Sequence, residues 1–244
     1  MPISYKVATE IHFYLKRGSE ISGKLYVLPY DHDGQKVYNF NIFSPSFCKI
    51  DINSDMFNNK YLKMVCNPSG NFEISIEYNV TIYSLPTSDN NLELFLGSSK
   101  YVNVDKFKNI INQSESNKDI ESIVKMIKSK IKYSREVNVK SAFSSLNLGI
   151  GKCVNYAHVA LGYFRALNIP ARYIIGLTPY SSKEAHAWIE VKGSTGWIPV
   201  DPTAGLIYVP YIKWAIGRDD ADIKNRILHK GDSKIDVDFN IKKL

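Results

Sequence analysis

The sequence predicts an α+β protein: an N-terminal antiparallel β unit, then a unit built around one buried helix packed on a second antiparallel sheet. Three observations point there. Phe72, Ile74, Ile76, Tyr78, Val80 and Ile82 alternate with polar residues, the period of a long strand with one face buried. Residues 153–167 are apolar on nearly every side, as in a helix at the centre of its domain. Three strand-like pieces then follow it, at 172–177, 185–192 and 196–200. The expected division is residues 1–88 for a β sheet or sandwich and 89–244 for the helix-bearing core with a last strand.

Weaker alternation marks strands around Ile3–Val7, Ile11–Leu15, Leu25–Leu28, Tyr38–Ile42 and Phe47–Ile52. The turn clusters Asp31-His32-Asp33-Gly34 and Asn67-Pro68-Ser69-Gly70 separate them. Leu85 to Asn91 has linker composition. Ser116 to Asp119 fits a capping pattern ahead of the stripe Ile120, Val124, Ile127, Ile131. Ala142 to Leu148 reads as a short helix, and Asn168-Ile169-Pro170 ends the buried one. Ile235, Val237, Phe239 and Ile241 alternate again as a last strand.

Composition narrows the function classes. The chain has 244 residues, 44% hydrophobic and 23% charged, so wholesale disorder is excluded. No apolar run approaches the roughly 18–20 residues of a membrane span. Lys6, Glu10 and Lys16 interrupt any signal-peptide core, so a cytoplasmic protein without membrane partners is expected. The net charge is +7, and residues 101–140 hold nine Lys/Arg against five Asp/Glu. Lys125, Lys128 and Lys132 read as a solvated helix face, and without a basic-aromatic motif no nucleic-acid partner is expected. Three cysteines make no disulfide framework and fit a reducing compartment; Cys48 and Cys66 sit in strand-like alternation and read as packing residues. No paired CxxC or HxxxH spacing suggests zinc, so neither metal nor cofactor is expected.

Cys153 stands apart. It follows Gly149-Ile150-Gly151-Lys152 and opens the buried helix, where unpaired N–H groups favour a thiolate. A thiolate nucleophile needs a base, and the base an orienting group. Ala185 to Lys192 and Trp197 to Thr203 flank the turn Gly193–Gly196. A regular turn pairs Lys192 with Trp197 and sets Trp188 opposite Asp201. His186 and Asp201 then share a face as diagonal neighbours, roughly 7–8 Å apart at Cα. Trp188 shares that face, as a candidate substrate-channel wall or, equally, a core-packing residue. His158 lies off the thiol's side of the helix and reads as a packing or hydrogen-bonding residue. Arg218, Asp219 and Asp222 read as a structural ion-pair network.

Gly151-Lys152-Cys153-Val154-Asn155-Tyr156-Ala157-His158, Arg165 to Arg172, Ala185-His186-Ala187-Trp188 and Val200-Asp201-Pro202-Thr203 together resemble the transglutaminase-like superfamily. The nearest resemblance is to its prokaryotic cysteine-peptidase-like members with an N-terminal β domain. Gly217 to Asp222 resembles a Gly-Arg-Asp block of these proteins. The resemblance implies a papain-like core and a Cys153–His186–Asp201 triad. It further implies thioester-forming acyl transfer on peptide or protein amides, more in keeping with hydrolysis than with transfer to an amine. A non-catalytic interaction module is the remaining reading. Asn155 and Asp220 depart from the family's usual Asp and aromatic residue, and both bear on substrate preference. The Cys153 backbone N–H is the first candidate oxyanion donor. No EF-hand-like loop supports calcium dependence.

Overall fold

The computed structural model describes residues 2–15, 20–83, 91–111, 119–180, 184–229 and 233–244. The expected linker falls largely outside them, as does Ser116 of the capping pattern.

Six strands lead: β1 (Ile3–Leu15), β2 (Ile21–Leu25), β3 (Gln35–Phe43), β4 (Cys48–Ser54), β5 (Lys60–Cys66) and β6 (Phe72–Ile82). Among the described residues, α-helices and small strands follow: α1 (Val104–Lys108), α2 (Ile120–Lys130), β7 (Lys132–Tyr133), α3 (Ala142–Leu148), β8 (Ile150–Gly151) and α4 (Cys153–Ala166). The last strands are β9 (Ala171–Leu177), β10 (His186–Lys192), β11 (Trp197–Asp201), β12 (Leu206–Ile207), β13 (Ile212–Gly217), β14 (Arg226–His229) and β15 (Ser233–Lys243). Antiparallel sheets β15-β1-β6-β3 and β14-β2-β5-β4 close a sandwich. Its core includes Val7, Ile11, Phe13, Ile21, Leu62, Met64, Ile74 and Ile76. The sheet β12-β11-β10-β9-β13 carries the helices.

The α+β architecture is as expected, with informative differences. β1 is one thirteen-residue strand rather than two. Thr9, fully buried on the inward face, is the polar residue that interrupts the apolar alternation. The last strand, grouped by chain order with residues 89–244, pairs with β1 along its length, from Tyr5↔Lys243 to Leu15↔Ser233. β1 is flanked by β6 on one side only, and β15 covers the row of backbone groups on the other. Asp119 caps α2 itself, its carboxylate accepting from Ser122 N at 2.7 Å.

Cys48 and Cys66 are not packing thiols. They form a disulfide between directly opposed residues of β4 and β5. Period-2 alternation aims both side chains at one face, and the register puts them side by side. The odd cysteine count thus resolves into one bonded pair and one free thiol, Cys153.

Helix α4 packs on the sheet's inner face. Tyr156, Ala157, Ala160 and Phe164 share a core with Tyr173, Ala187, Ile189, Val191 and Val200. Gly162 lets α1 approach: a Cβ there would lie 2.4 Å from the Phe107 ring. The outer face meets the sandwich, with Leu177, Ile212 and Trp214 in the sandwich core.

Two side-chain amides complete that junction. Gln35 accepts from Lys213 N at 2.8 Å and donates to Lys213 O at 3.0 Å. Asn59 does the same to Ile216, at 2.8 and 2.7 Å. Each amide replaces a neighbouring strand on the edge strand β13 and satisfies its buried backbone. Beside them, Glu190 is 3% exposed between Arg172 at 2.6 Å and Lys213 at 2.8 Å. Burial pushes the Glu190 carboxyl up, but the two cations outweigh it and hold it below its ordinary range.

Glu190→Gln leaves both cations without their anion in the interior. It should lower the unfolding free energy by about 3–5 kcal/mol in urea titration. A loss below about 1 kcal/mol would mean that the cluster contributes little.

Candidate active site

The site begins at the N-terminus of α4. Lys152 is the N-cap, and its N–H donates to Asn155 Oδ1 at 2.9 Å. The same amide donates from Nδ2 to Val139 O at 2.6 Å and to Ser145 Oγ at 2.8 Å. A carboxylate could not make the contact to the carbonyl, so this position requires the amide. Gly151 lets the chain turn here: a Cβ would sit 2.6 Å from Asn155 Cβ. Parallel pairing of β7 with β8 holds the approach to Cys153 in place.

The hairpin β10–β11 brings the other groups. Its turn is regular, with Gly193 N donating to Gly196 O at 2.8 Å and Lys192 paired with Trp197. This is the expected register, and it runs through Ile189↔Val200 towards His186 and Asp201. The imidazole Nε2 lies 2.9 Å from Asp201 Oδ2. His186 also hydrogen-bonds the Cys153 thiol; with Nε2 on the carboxylate, Nδ1 is the nitrogen left for sulfur. The structure therefore brings Cys153, His186 and Asp201 into one chain of contacts drawn from α4, β10 and β11.

Asp201 is saturated. Oδ1 accepts from Thr203 N at 2.9 Å and Ala204 N at 3.1 Å, and Oδ2 accepts a second donor, Tyr211 Oη, at 3.1 Å. Burial pushes its carboxyl up, but His186 and these donors hold it below its ordinary range. Burial alone would discharge His186, yet Asp201 and Cys153 raise it to about 9. Burial likewise pushes the Cys153 thiol up. The contact with His186 and the N–H groups of Ala187 and Val154 reverse that and bring it below its ordinary value. The contact between them thus shifts the pair towards thiolate and imidazolium, against the burial that would keep both neutral.

Trp188 is fully buried. Its ring stacks beside His186 at 6.3 Å between centroids and meets Tyr211 edge-on at 5.4 Å. Gly176, opposite His186 in β9, makes room: a Cβ would lie 1.9 Å from Ile212 O and 2.9 Å from the Trp188 ring. On this outer side a cavity of about 300 Å³ is lined by Trp188, Glu190, Trp197, Tyr208, Tyr211 and Lys213. Cys153, His186 and Asp201 do not line it.

His158 is fully buried and away from the thiol, with Nδ1 on Lys140 O at 2.8 Å and Nε2 3.1 Å from Asp220. Asp220 therefore has a structural partner. Arg218 pairs with Asp222 at 2.9 Å, and Asp219 accepts from Tyr101 N and Ala221 N, so this block is a structural network. The sequence reading missed Tyr211 and the Glu190 cluster. Only the spacing of Tyr211, ten residues past Asp201, could have pointed to it. Among the described residues, Glu10, His12 and Glu73 on the sandwich are the one group placed to hold a metal ion, and none belongs to this site. No described helix is long and apolar enough to cross a membrane.

Residues 106–202 match the core model of the transglutaminase-like superfamily. That stretch, from α1 to the end of β11, is what the chain has in common with the superfamily. A crystal structure of a candidate cysteine protease from Cytophaga hutchinsonii superposes with a TM-score of 0.79 at 20% identity, covering 100% of this chain and 91% of that one. Its fold is the fold described above, sandwich included. A relative of uncharacterized role from Mycobacterium leprae is 29% identical over 152 residues, 56% of this chain. The chain spans 54% of that relative's length.

The matched stretch holds the one free cysteine, Cys153, and its environment makes a test. Iodoacetamide at pH 7 without reductant should label Cys153 alone, read by mass mapping. Cys48 and Cys66 should label only after unfolding and reduction. An inert Cys153 in the folded protein would remove the thiolate from this picture.

Proposed function

We propose that the protein is a thiol-dependent acyl-transfer enzyme acting on peptide or side-chain amides, with Cys153 as nucleophile, His186 as acid and base, and Asp201 as the residue that orients His186. One observation carries the reading. The free thiol at the mouth of α4, the imidazole and a saturated carboxylate form one hydrogen-bonded chain. The transglutaminase-like core and the shared fold support it.

The chemistry runs on the chain's own groups. The Cys153 thiolate adds to the amide carbonyl, and the oxygen takes the negative charge. The Cys153 backbone N–H, at the positive end of α4, is the donor nearest in kind to what that oxyanion needs. The C–N bond breaks as the imidazolium gives its proton to the departing amine. A thioester remains beside a neutral His186. Water, losing a proton to His186, then attacks the thioester and releases the acid, and the thiolate–imidazolium pair returns. Asp201 stays ionised, holding the tautomer and the charge of His186. Trp188 supports this ring from behind rather than touching substrate.

Cys153→Ala should abolish peptide cleavage and ammonia release from amides while thermal unfolding stays close to wild type. Asp201→Asn should retain a residue of activity, with kcat/KM lower by roughly 10²–10⁴-fold, because an amide withholds the charge. Activity that survives Cys153→Ala would overturn the reading. Incorporation of a fluorescent amine in place of hydrolysis would make the acceptor an amine.

Activity should also be bell-shaped in pH. The sign follows from the two shifts. Below the depressed value of Cys153 the thiolate is lost, and above about 9 the imidazolium is lost, so the active pair occupies the window between. The raised value of His186 has a matching stability consequence. Its contribution is complete below the free-histidine value of about 6.5. It disappears as pH rises through about 9. A kcat/KM profile that keeps rising past pH 10 would contradict the assignment of His186.

A further inference from the structure

We propose that Tyr211 is a positioning residue of this site, whose phenol shares the Asp201 oxygen that holds His186 and so sets how tightly the imidazolium keeps its proton. The proposal rests on the Cys153–His186–Asp201 reading above.

A carboxylate offers about four acceptor directions. At Asp201 all four are taken. Two backbone N–H groups, of Thr203 and Ala204, occupy Oδ1. His186 at 2.9 Å and Tyr211 at 3.1 Å occupy Oδ2. The carboxylate cannot rotate without breaking one of them. Its Oδ2 lone pairs are divided between a donor that will carry a charge and one that stays neutral.

The phenol is itself fixed. Tyr211 is 7% exposed. Its ring meets His186 edge-on at 5.8 Å and 80°, and Trp188 edge-on at 5.4 Å and 87°. Pro210 before it restrains the backbone, and Ile212 after it begins β13. Burial, then the Asp201 charge, push the Tyr211 phenol above its ordinary range, so it remains a donor at working pH.

The titratable groups on His186 are Cys153 from α4 and Asp201 from β11, with Tyr211 from the segment before β13; Tyr180, after β9, acts on Tyr211. Trp188 packs beside the ring without titrating. Removing the phenol oxygen leaves Oδ2 wholly to His186. The carboxylate then attracts the imidazolium proton more strongly. His186 should hold its proton to higher pH and give it less readily to a leaving amine.

The test uses the full chain and no substrate. The rate of iodoacetamide alkylation of Cys153 is followed against pH for wild type, Tyr211→Phe, Asp201→Asn and the double variant. Wild type should show two inflections, the upper one marking loss of the imidazolium proton. Tyr211→Phe should fold as wild type by circular dichroism and move the upper inflection upward by about half a unit. That is a fraction of the roughly one to two units that a hydrogen bond to a charge is worth. In the Asp201→Asn background Tyr211→Phe should move nothing. An unmoved inflection in folded Tyr211→Phe, an equal shift without the Asp201 charge, or loss of the fold on Tyr211→Phe overturns the proposal. A wild-type profile without a neutral-pH thiolate would instead defeat the site reading beneath it.

Discussion

Burial of α4 against β9 and β10 is the contact on which the rest depends. The helix is apolar around almost its whole circumference, so it has one stable place, between the sheet and the α1–α3 layer. Once there, its N-terminus lies beside the start of β10. Cys153 and His186 are thus neighbours because of where an element begins, not because of any attraction between them. Close packing leaves that placement little freedom, since Phe107 lies against Gly162 with no room for a methyl group.

The sandwich stiffens the other face of the same sheet. β13 is an edge strand in hydrogen-bonding terms, yet Gln35 and Asn59 reach across to satisfy its backbone. The Glu190 cluster adds charge pairs whose partners cannot leave without exposing a buried ion. Trp188 and Tyr211 lie on this clamped side, behind His186. A site that must hold three groups to fractions of an ångström gains from elements fixed on both faces.

Within the site, burial and charge act in opposite directions at each group. Burial disfavours the ionised form of thiol, imidazole and carboxylate alike. Hydrogen bonds and opposite charges reverse the result at all three. Each ion is therefore stabilised by its neighbour, and removing one member leaves the others in an environment that favours neutrality. Such a group of residues behaves as a unit.

Local pattern alone determined a good part of this protein. The long strand at 72–82, the helix at 142–148, the buried helix from Cys153 and the β10–β11 hairpin all depend on periodicity and turn residues within a short stretch. The proximity of His186 and Asp201 belongs with them, because hairpin register is set by a turn of a few residues. The disulfide and the pairing of β15 with β1 did not follow from local pattern. Each is a contact between segments far apart in the chain, and alternation says which face a residue occupies but not what lies against it. Tyr211 and Glu190 are the clearest cases. Both are polar residues whose neighbours arrive from other strands, and only the packing of the sandwich on the sheet decides that Asp201, Arg172 and Lys213 will be there to meet them.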